Sequence, residues 1–166
     1  QKTAYEIPKR DWSSDVCSSD LGEMIRVGGW GYLLGDEGAG YWIGREAIRN
    51  TLALMDSHKK LGILHREVLA KMKAESWNEI KSFVYSEDRS SIAEIAEIVV
   101  KMAEEGEEEA KLILLSAARF LVELVQQIQE ILGKTDMPIV LGGGVFKASK
   151  FLTDEVRKAS GENTLE

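Results

Sequence analysis

Seven glycines fall between Gly28 and Gly44, in a stretch that reads "GGWGYLLGDEGAGYWIG". Glycine loses more conformational freedom on folding than any other residue, so this density must meet a need, either for positive φ or for close approach by another group. A flexible linker would be glycine and serine with little else. Here Trp30, Tyr32, Leu33, Leu34, Tyr41, Trp42 and Ile43 interleave with the glycines, and the segment reads as a structured, packed loop. A carboxylate held in such a loop, at Asp36, can accept hydrogen bonds from substrate hydroxyls while backbone N–H groups and Trp30 shape a pocket. The plainer reading is a tight turn in which Asp36 or Glu37 caps the next helix.

The flanking pattern places this loop between a strand and a helix. Met24, Ile25 and Val27 suggest a short strand ending at Gly28-Gly29. From about Tyr41 the apolar period turns helical through Ala47, Ile48, Leu52 and Met55, ending near Lys59-Lys60. Shorter helical patterns follow over 64–73 and 77–85. Ser91 with Glu94 three residues on has the form of a capping box, opening a helix that Gly106 breaks. The longest helix, roughly 107–132, is apolar on more than one side, which predicts a central, well-buried element. Gly133 reads as its C-terminal cap.

"MPIVLGGGVF" then gives a buried strand at Ile139, Val140 and Leu141 running into three glycines, with an amphipathic helix over about 149–159. A strand, a glycine turn and a helix can approach a phosphate or nucleotide. No further strand is evident before Glu166, although so apolar a strand needs sheet neighbours. The expectation is part of a larger fold. "LGKTD" at 132–136 is not a phosphate-binding Walker loop, since Ile128 stands where that motif needs glycine.

Residues 11–21, "DWSSDVCSSDL", show neither strand alternation nor a helical stripe, and contain the chain's one cysteine. Back-translated in one reading frame they spell a common short-read sequencing adapter. Residues 1–21 are therefore read as a non-native leader containing translated adapter over 11–21, and set aside from fold reasoning. The leader holds three of the 21 basic and four of the 28 acidic residues, which leaves 18 against 24 on residues 22–166. That acidic balance argues against a nucleic-acid or membrane-surface partner. No run of residues reads as the roughly 20-residue apolar stretch of a membrane helix. Without Cys17 no thiolate metal site or disulfide is available, which suits the cytoplasm. His58 and His65 have no third ligand at useful spacing, so no metal site is assigned.

The run "GGWGYLLGDEGAGYWIGREAI", followed in order by "DRSSIAEIAEIVVKMAEEGEEEAKLIL" and "IVLGGGVF", closely resembles the BadF/BadG/BcrA/BcrD-type ATPases and N-acetylglucosamine kinases of the actin-like sugar-kinase superfamily. The likeness covers essentially residues 22–160. It implies an α/β fold, the helix-rich C-terminal lobe of the ribonuclease H-like actin/sugar-kinase ATPase, truncated at both ends. It implies ATP and Mg2+ as cofactors and an amino sugar as substrate, with a homodimer for the intact parent. By position, Gly29, Trp30, Gly31 and Asp36 correspond to the sugar site, and Ala93, Gly143 and Gly144 to the nucleotide site.

The resemblance also implies parts with no counterpart here: an N-terminal glycine-rich phosphate hairpin, a general-base aspartate, a second phosphate loop upstream of Gly22, and a closing strand and helix beyond about residue 162. The parent is thus expected to phosphorylate N-acetylglucosamine or a related amino sugar, and the fragment to be inactive. Two alternatives differ in class. An ATP-driven activator of a 2-hydroxyacyl-CoA dehydratase would need cluster-binding cysteines, and residues 22–166 contain none. A binding module of the same fold would need no turnover.

Overall fold

The computed structural model describes residues 15–18, 25–160 and 164–165, with side-chain environments for 25–160. Strands β1 (Asp15–Ser18) and β2 (Ile25–Gly28) lead into seven helices: α1 (Gly40–Asp56), α2 (Ile63–Met72), α3 (Trp77–Ser86), α4 (Arg89–Glu104), α5 (Glu108–Leu132), α6 (Gly144–Ala148) and α7 (Lys150–Ser160). Strand β3 (Ile139–Val140) precedes α6, and β4 (Thr164–Leu165) follows α7.

The core is helical. α1 and α4 lie closely together, α5 packs on α4 and α7, and α2 closes one end against α1 and α4. Ile43, Ala47, Leu64, Val68, Ile95, Val99, Leu114, Leu152 and Val156 are fully enclosed where these faces meet. Each of these larger aliphatic side chains contributes about 1.5–3 kcal/mol on burial, before the entropy cost of ordering it, and Ala47 less. One polar group in this core is satisfied locally, the Thr51 hydroxyl donating to the Ala47 carbonyl at 2.8 Å.

Most helix limits follow from local chemistry. α3 opens with a full capping box, Ser76 accepting from the Glu79 amide while Glu79 reaches back to Ser76. At α5 the Glu107 carboxylate accepts from the Ala110 amide at 2.6 Å, which accounts for "EEGEEE" as a helix start. The expected cap at its other end is present, with Gly133 left-handed at φ 62°.

Several expectations need correction. The helix expected to open at Ser91 starts at Arg89, because Asp88 is the N-cap and accepts from the Ser91 amide at 3.0 Å. Glu94 is not half of a capping box; it pairs with Lys71 of α2 at 2.7 Å. β3 has a partner within the chain: it pairs in parallel with β4, Ile139 opposite Thr164, across α6 and α7. With only this partner described, Val140 is 70% exposed rather than buried. And Asp15–Ser18, which lacks strand patterning, forms β1 antiparallel to β2. Backbone pairing along an existing strand needs no side-chain alternation of its own.

α5 is buried along one face only. Ile113, Leu114, Ala117, Ala118, Val122 and Val125 face the core, whereas Leu112 and Ile131 are more than half exposed. By length and composition α5 is apolar enough to cross a membrane, which the sequence reading did not anticipate. A helix built into a core on one side meets the same criterion.

Candidate functional site

The glycine-rich loop links β2 to α1, and its backbone explains much of its glycine content. Gly31 takes φ 88° and its carbonyl accepts from the amides of Leu34 and Gly35, at 3.1 and 2.9 Å. Asp36 is left-handed as well, at φ 60°, a conformation that aspartate tolerates better than most side chains. It is buried, and its Oδ1 accepts from the Gly31 amide at 3.2 Å. Its carbonyl accepts from the Ala39 amide at 3.0 Å. Asp36 therefore does not cap the next helix: Ala39 is the N-cap of α1 and makes no side-chain hydrogen bond there. The carboxylate ties the loop back on itself.

Two cavities meet at this residue. The larger, about 580 Å3, is lined by Tyr32, Asp36, Gly40 and Tyr41, by the face of α4 from Arg89 to Val100, and by Gly144, Val145 and Ala148 of α6. The smaller, about 190 Å3, lies between the loop and α5, against Gly29, Trp30, Asp36, Glu37, Glu123 and Gln127. Asp36 and no other lining residue belongs to both.

The larger cavity has an aromatic rim. Tyr32 meets Tyr41 edge to face at 4.9 Å, and the Arg89 guanidinium lies over the Tyr32 ring at 5.6 Å. The first residues of α1 line the same wall without a side-chain cap, so the positive end of that helix lies at the cavity. Such a terminus favours anions. α4 brings small side chains, Ala93 and Ala96, to the floor, with Glu94 and Glu97 beside them.

The residues expected from the sequence are partly gathered. Asp36, Ala93 and Gly144 share the larger cavity, and Gly29, Trp30 and Asp36 share the smaller. Gly31 lines neither and supplies the amide that holds Asp36. Gly143 lines neither and caps α6 at φ 112°. Tyr32, Arg89 and Glu97 of the larger cavity, and Glu123 and Gln127 of the smaller, were not singled out from sequence. Only Tyr32, inside the glycine run, carried a local signal.

Among the described residues, no group of three His, Cys, Asp or Glu side chains is placed to hold a metal ion. His65 is buried, and its Nδ1 accepts from the Gly62 amide at 3.2 Å.

The sequence profile of the BadF/BadG/BcrA/BcrD ATPase family matches residues 13–166. The chain belongs to that family. Among its relatives, an N-acetylmuramic acid/N-acetylglucosamine kinase from Clostridium acetobutylicum is 34% identical over 141 residues, covering 82% of this chain and 46% of the kinase. An N-acetyl-D-glucosamine kinase from Dictyostelium discoideum is 31% identical over 144 residues, covering 83% of this chain and 45% of that protein. This BadF/BadG-type chain thus spans about half the length of the curated relatives it matches. Its fold matches a crystal structure from Chromobacterium violaceum, provisionally named an N-acetylglucosamine kinase, with a TM-score of 0.72 at 24% identity, over 87% of this chain and 48% of the other.

Proposed function

We propose that this chain is the C-terminal lobe of an ATP-dependent kinase acting on N-acetylglucosamine or a related amino sugar. One observation carries the reading: Asp36 stands in the wall common to two cavities of unequal size. The larger lies within the roughly 300–1,000 Å3 usual for small-molecule sites and suits a nucleotide, with Ala93 and Gly144 in its lining and the start of α1 favouring phosphate. The smaller suits a sugar ring or its substituent against Gly29 and Trp30. Gly31 supports Asp36 from behind, and Gly143 sets the entry of α6.

In the proposed reaction the γ-phosphoryl group leaves ADP for a sugar hydroxyl, whose proton passes to a base. This half supplies positioning and electrostatics, which dominate phosphoryl transfer. The base is expected on the other half of the cleft, so the chain alone would not turn over. When bound, Mg2+ would neutralise charge on the phosphates, as in other phosphoryl transfers; among the described residues no group of three His, Cys, Asp or Glu side chains is placed to hold it. The cytoplasm, where ATP is abundant, is the proposed compartment.

The test is a comparison of two proteins in an ADP-release assay with N-acetylglucosamine. The chain alone should give no measurable turnover. The chain joined to the N-terminal half of the Clostridium acetobutylicum kinase should phosphorylate the sugar. A joined, folded protein that hydrolyses nothing and transfers nothing would defeat the kinase reading. Normal turnover by the chain alone would defeat the divided cleft.

A further inference from the structure

Glu104 is the last residue of α4, an end at which a negative charge opposes the helix's own dipole. Its carboxylate is engaged far along the chain instead. Oε1 accepts from the Ser149 hydroxyl at 3.1 Å and from the Phe151 amide at 2.8 Å. Ser149 is wholly buried, and its Oγ in turn accepts from the Leu152 amide at 3.0 Å. A carboxylate from one helix therefore completes the N-terminal cap of another, α7, where anions are favourable.

The same junction anchors α6. The Ser149 amide donates to the Val145 carbonyl at 2.8 Å, and Thr153 Oγ1 donates to the carbonyls of Phe146 and Ser149, at 3.2 and 2.8 Å. At its other end α6 is entered through Gly142 and Gly143. A Cβ at Gly142 would meet nothing within 4 Å, and Gly143 has φ 112°. α6 is thus tied by side-chain hydrogen bonds at its C-terminal end, while Val145 and Phe146 pack it against the core. Gly144, Val145 and Ala148 of this short helix line the same cavity as the α4 residues.

We infer that Glu104 is a positioning residue for the nucleotide side of the cleft: from the end of α4 it holds Ser149 and the start of α7, and so fixes α6 in the cavity lining. The inference rests on the reading of the larger cavity as a nucleotide site. Glu104 itself is not among the residues lining that cavity.

The 166-residue chain serves for the test, as unsubstituted protein and as Glu104→Ala, Glu104→Gln and Ser149→Ala. Hydrogen exchange followed by mass spectrometry should accelerate about tenfold over 144–153 in Glu104→Ala and Ser149→Ala, and stay unchanged over α1 and α2. Glu104→Gln, whose amide oxygen still accepts both bonds, should recover most of the protection. Titration with a fluorescent ATP analogue should show about tenfold weaker binding for Glu104→Ala, and restoration in Glu104→Gln. Unchanged exchange over 144–153, or equal loss in the Ala and Gln variants, would overturn the positioning role. Failure of the unsubstituted chain to bind nucleotide both alone and joined to the N-terminal half of the Clostridium acetobutylicum kinase would instead overturn the nucleotide reading, with exchange still deciding whether Glu104 holds α6.

Discussion

A Cβ added to Gly44 would lie 2.0 Å from the carbonyl oxygen of Ile92. α1 and α4 cross at this point with backbone against backbone, and no flexible side chain is available to give way. The contact sets how the glycine loop, which ends in α1, faces the α4 wall of the larger cavity. Gly44→Ala must therefore separate the two helices. Overpacking costs about 1–3 kcal/mol and occasionally more, so the expected fall in the melting midpoint is about 2–12 °C. Circular dichroism would measure it, and an unchanged midpoint would show that the helices are not held at this distance.

Asp36 joins two roles that substitution can separate. Asparagine tolerates the left-handed conformation, and its Oδ1 still accepts from the Gly31 amide, so Asp36→Asn should fold with nearly unchanged stability. Asp36→Ala loses that acceptor and places a less tolerant residue at φ 60°, for an expected cost of about 2–3 kcal/mol. Without the negative charge, Asp36→Asn should bind N-acetylglucosamine about tenfold more weakly in calorimetric titration of the chain joined to the N-terminal half of the Clostridium acetobutylicum kinase. Full affinity in that variant would remove Asp36 from the proposed sugar site.

What could be read in advance follows the range of each signal. α2, α3 and α5 were legible because periodicity and caps act within a few residues, and Gly133 ends α5 where a left-handed cap is needed. At α4 two acceptable caps stood three residues apart. Asp88 prevailed, and the extra turn places Arg89 over Tyr32. The pairing of Ile139 with Thr164 and the hold of Glu104 on Ser149 were not legible, since each joins groups more than twenty residues apart with no local mark. The breadth of apolar character on α5 misled for a related reason. Helical periodicity shows how wide an apolar surface is, not whether a neighbour covers it, and Leu112 is uncovered. For the site, glycine density drew attention to Asp36, which lines both cavities, while the partner of its carboxylate, Gly31, depended on how the loop closes.

Two carboxylates at helix starts give a pH dependence. Glu79 is held below its ordinary pKa, first by the Glu75 amide and then by the hydroxyl and amide of Ser76. Asp88 is held below its own, first by the Ser90 hydroxyl and then by the Ser91 amide. A carboxylate whose pKa falls on folding contributes stability that is complete above the unfolded value, near pH 4, and is lost as the pH drops through the lower folded value. Acid should therefore loosen the starts of α3 and α4 below about pH 4. Glu79→Gln and Asp88→Asn should be less stable at neutral pH and should flatten the decline in denaturant midpoint on acidification. An acid limb as steep in the double variant as in the unsubstituted chain would assign the acid loss to other groups.

Apolar side chains left largely exposed set the expected behaviour of the isolated chain. Leu33 and Leu34 of the glycine loop are 74% and 77% exposed, and Leu112 and Ile131 of α5 are 61% and 58% exposed. The described sheets have two strands each, and small sheets of this kind gain little stability from pairing alone. Exposed apolar surface and open strand edges both promote association between copies. The chain should therefore sediment with a concentration-dependent average mass, bind an apolar dye in the folded state, and precipitate on heating. Leu33→Ser with Leu34→Ser should reduce dye binding without lowering helicity, because neither side chain is part of the buried core. A single monomeric species at all concentrations, with a sharp and reversible melt, would mean that these residues are protected by some arrangement other than the one described.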